Sequence, residues 1–173
     1  NDIWDTHGHG TKICTILLSH ASDVELYIVK IFERRLVTDM KCLVAAIKWA
    51  VEKNVNVINI SLGTTNHGNL KELRKACAMA LKKNVFIISS LANGSRRSYP
   101  GCFSGVLCVY HKNRRDIAIR KKHLIGISTC GERIVKNSFL VPTVTGIVAK
   151  LHQRYAHLNC FNVMPEMNRI IPN

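Results

Sequence analysis

Hydrophobic period changes repeatedly along the middle of the chain, and this rhythm restricts the fold more than any other feature. Val55 to Ile60 and Val85 to Ser90 are short apolar runs rich in β-branched residues. Between them, Leu70 to Lys82 places Leu73, Ala76, Cys77 and Ala80 on one helical face. Upstream, Met40, Leu43, Val44, Ile47 and Val51 recur at helical spacing, with Thr38 or Asp39 able to cap the start and the end falling near Asn54. Val24 to Ile31 reads as a strand before that helix. Nearly continuous apolar runs suit strands covered on both faces. The pattern therefore predicts an α/β fold of three layers, a mostly parallel sheet flanked by helices and joined by right-handed crossovers.

Gly105 to Tyr110 predicts a further strand, and Ser138 to Tyr155 a longer helix that turns Ile147, Val148 and Leu151 to a core. Pro142 falls in its first turns, where a missing N–H matters least. His111 to Lys122 is basic and poorly patterned, so it reads as a loop or exposed hairpin. Residues 1–155 form the expected domain, and residues 156–173 a C-terminal tail without clear period.

Composition excludes several classes. With 173 residues, 47% hydrophobic and 21% charged, the chain has the balance of one globular domain rather than of a disordered one. No apolar run reaches the roughly 18 residues of a membrane span, so no membrane partner is expected. Asn1 opens no secretory leader, and a natural start would be Met, so the chain reads as a soluble piece of a longer protein. The net charge of +14 favours anionic contacts. However, Arg34-Arg35, Arg96-Arg97, Arg114-Arg115 and Arg120-Lys121-Lys122 are short, scattered and poor in interleaved aromatics. They read as a solvated surface, with no specific nucleic-acid partner. The pattern specifies no oligomeric state.

Seven cysteines, at positions 14, 42, 77, 102, 108, 130 and 160, cannot all pair, and Cys14, Cys42 and Cys77 fall on apolar helical faces. A reducing, intracellular setting is the simpler reading. His7, His9 and Cys14 lack a fourth ligand at a familiar spacing, so neither a metal nor another cofactor is expected.

In such a sheet, chemistry gathers where strands lead into loops at their carboxyl ends. His7-Gly8-His9-Gly10-Thr11, Ser61-Leu62-Gly63, Ala92-Asn93-Gly94 and Ser138 all fall at such points or at helix starts. Each is unremarkable alone, as a solvated histidine, a strand exit, a turn pair and an N-cap. In this order they resemble the subtilisin-like serine peptidases, the subtilase family. Gly8-His9-Gly10-Thr11 is similar to the family's histidine motif, Val57-Ile58-Asn59-Ile60-Ser61-Leu62-Gly63 to its Ser-Leu-Gly strand, and Ala92-Asn93-Gly94 to its oxyanion block. Tyr99-Pro100-Gly101 resembles the turn at the base of the specificity pocket, and Asn137-Ser138-Phe139 with Val141-Pro142 the serine motif.

The resemblance implies a serine endopeptidase acting on peptide or protein substrates through an acyl-enzyme, with Ser138 as nucleophile, His9 as base and Asn93 as oxyanion donor. It places substrate along Ser61, Leu62 and Gly63 and against Leu91 and Ala92, with Tyr99 and Gly101 near the base of the specificity pocket. Leu91 and Ala92 make that wall apolar, so an apolar or small residue is expected before the scissile bond. Three departures accompany the match. The family's aspartate strand, which precedes the histidine motif, is absent from these residues, and Asp5 matches only a loop acid. Lys136 stands where the family has glycine, and Leu140 where it has a small residue. An alternative is therefore a pseudopeptidase that binds a peptide or protein partner without cutting it.

Thiol titration of protein from its native source, denatured without reductant, is expected to find most of the seven cysteines free.

Overall fold

The computed structural model describes residues 4–33, 35–92, 97–111, 124–127 and 136–170. In chain order its elements are α1 (His9–His20), α2 (Met40–Glu52), β1 (Val57–Ile60), α3 (Leu70–Lys82), β2 (Phe86–Ser90), β3 (Val106–His111), β4 (Leu124–Ile127), a 3-10 turn (Asn137–Phe139), α4 (Val141–Arg154) and α5 (Met164–Ile170). The strands form one sheet in the order β1-β2-β3-β4, and every pair is parallel.

Local chemistry explains the helix limits. The Asp39 carboxylate accepts from the amide of Lys41 at 3.1 Å, meeting an otherwise unpaired donor at the start of α2. Beyond α2 and α3 the chain turns at Asn54 and Asn84, whose φ values of 56° and 58° lie in the left-handed region that asparagine tolerates.

The side chains of β2 divide between two apolar layers. Phe86 and Ile88 join Leu107 and Val109 of β3 and Val141, Val144 and Val148 of α4. Ile87 joins Val106, Ile47 of α2, and Leu73, Ala76 and Ala80 of α3. The sheet is thus covered on both faces, as its unbroken apolar runs require. α1 packs on α4 at a small residue: a Cβ on Gly146 would lie 2.6 Å from His20 Cβ and 3.0 Å from the Leu17 carbonyl oxygen.

Three expectations are corrected. Residues 24–31 are no strand among the described residues. They lie against α2, with the Tyr27 and Trp49 rings 6.0 Å apart, and Ile28 is 67% exposed. Alternation reports half-burial, whereas a strand also needs a neighbouring edge to bond, and among the described residues β1 pairs with β2 alone. Residues 24–31 and β1 both line a cavity of ≈ 600 Å³ that Asp5 and His9 also border. Second, the tail after 156, read as lacking a period, contains a short helix, α5, and buries Leu158, Cys160, Val163 and Met167 in the same apolar layer as α4. Third, Cys42 is exposed, while Cys77, Cys108 and Cys160 are buried. Burial pushes the Cys77 thiol up to about 12 and that of Cys160 to about 11, so both remain protonated at neutral pH. Cys14, Cys42, Cys77, Cys102 and Cys160 are free thiols; Cys130 lies outside the described residues. Most of the basic stretch at 111–122 also lies outside them.

Gly146→Ala is expected to lower stability by about 1–3 kcal/mol, because backbone at Leu17 and Ala21 confines the added methyl. Thermal or urea unfolding of the variant checks this.

Candidate active site

His9 is the first residue of α1 and is half-buried. Gly8 precedes it at φ 66°, a conformation that favours glycine, and carries no side chain to cap the helix. Asp5 supplies the cap from farther back: its Oδ2 accepts from the amide of Thr11 at 2.7 Å and from its hydroxyl at 2.8 Å. These bonds hold the Asp5 carboxyl below its ordinary value. Asp5 therefore anchors the histidine loop, and its short bonds go to Thr11. Burial lowers the His9 pKa; the Asp5 charge opposes this, while the Lys136 and His7 charges add to it. A neutral imidazole, able to accept a proton, results.

Ser138 lies in the 3-10 turn before α4 rather than within α4 itself, and is half-buried. Asn137 beside it is 1% exposed. Its carboxamide donates to the Leu91 carbonyl at 2.8 Å and accepts from the His111 amide at 2.9 Å. One side chain thus ties the serine turn to the carboxyl ends of β2 and β3. The histidine and serine segments meet through Phe139, whose ring centroid lies 5.2 Å from that of His9, tilted by 50°. Lys12 Nζ sits 4.5 Å from the Phe139 centroid.

The expected substrate walls adjoin. The Ser89 hydroxyl donates to the Leu62 carbonyl at 3.1 Å. A Cβ on Gly63 would fall 2.5 Å from the Ser90 carbonyl oxygen and 2.7 Å from Ser98 Oγ, so the close approach there requires glycine. Buried Ser98 accepts from the Ala92 amide at 3.0 Å and donates to the Ser90 carbonyl at 3.3 Å. Thr64 and Tyr99 bond reciprocally at 3.0 and 2.8 Å, which brings the Tyr99-Pro100-Gly101 turn, with its cis Tyr99–Pro100 bond, beside the Ser-Leu-Gly exit. Gly101 lies against Cys108: its added Cβ would be 2.5 Å from the sulfur. Ser61 accepts from Asn59 Nδ2 at 2.8 Å, and Thr145 of α4 donates to Asn59 Oδ1 at 2.9 Å. Asn93 lies outside the described residues.

Sequence reading passed over Asn137, Phe139, Lys12 and Ser98 as site residues. The partners of all four become visible only in three dimensions. Among the described residues, no group of three or more His, Cys, Asp or Glu side chains is placed to hold a metal ion. Nor is any helix among them long and apolar enough to cross a membrane.

Residues 1–138 match the family described as Peptidase_S8, Subtilase family. The Minor extracellular protease Epr of Bacillus subtilis (strain 168) is 27% identical over 164 residues, which cover 88% of this chain and 24% of that protein. The Thermostable alkaline protease of Halalkalibacterium halodurans is 27% identical over 177 residues, covering 87% of this chain and 48% of that one. The chain therefore spans less than half the length of either relative. Among solved structures, the Prenylagaramide maturation protease PagA superposes with a TM-score of 0.68 at 22% identity, covering 93% of this chain and 71% of that chain.

Because its folded-state pKa is lowered, His9 binds a proton less readily in the folded chain than in the unfolded one, and protonation disfavours folding as pH falls through the ordinary histidine range. Lys136→Gly removes a repelling charge and is expected to raise the His9 pKa. Imidazole NMR titration of the variant against the parent reads this shift.

Proposed function

The chain belongs to the subtilase family of serine peptidases, and on that premise we propose that its parent protein is an endopeptidase that cuts peptide bonds through an acyl-enzyme on Ser138. In this reading Ser138 Oγ attacks the peptide carbonyl, His9 accepts its proton and returns it to the departing amine, and water then releases the acyl group with His9 as base again. Asn93 donates to the oxyanion, and the substrate extends beside Ser61-Leu62-Gly63 as an added strand. Leu91 and Ala92, with Tyr99 and Gly101 nearby, receive an apolar or small residue before the scissile bond. The observation that carries the proposal is the meeting of the histidine and serine segments, His9 against Phe139, at the carboxyl ends of a parallel sheet.

His9 needs an orienting partner, because neither its tautomer nor its protonated form is otherwise favoured. Asp5 is committed to Thr11. A cavity lined by residues 24–31 and β1 also borders His9, and this supports a reading in which a further strand carrying a carboxylate occupies it. Residues 1–173 alone are accordingly proposed to be weak in catalysis or inactive. The Asp5–Thr11 pairing also favours a second reading, in which the scaffold binds a peptide or protein partner without cutting it.

The test compares residues 1–173, the upstream-extended gene product, and that longer protein carrying Ser138→Ala, on an unstructured protein substrate and with a fluorophosphonate probe. Activity and labelling confined to the long form and lost with Ser138→Ala are expected. Equal turnover by the short chain would show the further strand to be unnecessary. Peptide binding without turnover or labelling by the long form would establish the second reading.

A further inference from the structure

The protein holds a lysine beside the residues expected to handle the leaving group. In acyl transfer from a peptide, Ser138 Oγ forms a bond to the carbonyl carbon and the carbon–nitrogen bond breaks. The amine leaves with the proton that His9 took from the serine. The part of the substrate following the scissile bond must therefore lie on the histidine side of the nucleophile. On that side stands Phe139, directly after Ser138 in sequence and in ring contact with His9 at 5.2 Å. Lys12, one turn along α1 from His9, sets its ammonium 4.5 Å from the centre of the Phe139 ring.

Three features make this ammonium available to a substrate. Lys12 is exposed, so its charge is reachable from solvent. The backbone amide of Lys12 bonds the Gly8 carbonyl at 3.1 Å, fixing the origin of the side chain, and the aromatic face gives its head a preferred seat. Asp5, the carboxylate whose charge acts on His9, has its bonded oxygen engaged by Thr11. Lys136 adds a second positive charge close enough to act on His9.

We propose that Lys12, seated over Phe139, selects substrates with an acidic residue immediately after the scissile bond. This rests on the serine-peptidase reading of the site. It concerns the opposite side of the bond from the apolar wall at Leu91 and Ala92, so an apolar residue before the bond and an acidic one after it together define the preferred sequence.

The experiment uses the upstream-extended protein and paired internally quenched peptides that differ only as Asp against Asn, or Glu against Gln, at the position after the cleaved bond. A preference of about fivefold for the acid at low salt is expected, the scale of one partly exposed ion pair. It should shrink as salt rises. Lys12→Ser should abolish the preference and Lys12→Glu should invert it toward Arg or Lys, whereas Lys136→Ser should leave most of it in place. Ser138-dependent cleavage with equal rates for acid and amide would overturn the inference and leave the peptidase reading intact, as would a preference that follows Lys136 instead. The same peptides are titrated by fluorescence anisotropy onto protein carrying Ser138→Ala. Acid-selective binding that depends on Lys12 supports the inference even if no cleavage occurs; equal affinities overturn it.

Discussion

A strand buried on both faces requires two helical layers, and most of this architecture follows from that requirement at β2. Phe86 and Ile88 enter one apolar layer and Ile87 the other, so the strand is covered by α4 on one side and by α2 and α3 on the other. Parallel pairing follows because each crossover carries the chain back before the next strand begins. Once the strands are parallel, their carboxyl ends lie together at one edge. Loops of distant sequence origin then meet there, including Ser61-Leu62-Gly63 and Leu91-Ala92.

At that edge the serine turn is held by polar as well as apolar contacts. Asn137 is buried, yet both sides of its carboxamide have partners, the Leu91 carbonyl and the His111 amide. Leaving either partner buried and unpaired would cost about 1–3 kcal/mol, enough to favour this seating of the turn over nearby alternatives. The anchor is relevant because Lys136 brings bulk and charge beside the serine where the family has glycine. The placement of the serine turn is thus tied to two strand ends at once.

Legibility in the sequence followed the range of the interaction. α3 was expected at the residues it occupies, and α2 with its Asp39 cap nearly so, because helical period and capping are local. The parallel sheet was readable from apolar runs that require cover on both faces. Residues 24–31 show the limit: their pattern suits a strand, but ladder bonds depend on a neighbour that pattern cannot supply. β4 followed a basic stretch that offered no period, and α5, a single short turn or two, owes its place to burial of Val163 and Met167. The family's motifs marked His9 and Ser138. The roles of Asn137 and Phe139 depend on Leu91, His111 and His9, partners remote in the chain.

His9 opens α1 and Ser138 lies in the turn that leads into α4, near opposite ends of the described chain, and α1 touches α4 at Gly146. This separation has a kinetic consequence. Contacts between distant residues carry the largest loop-closure penalty and tend to form late in folding. A growing polypeptide emerging from the ribosome would present the histidine helix well before the serine turn existed. The two segments could come together only after the intervening strands had been made, so their contact is among the last that a nascent chain could form.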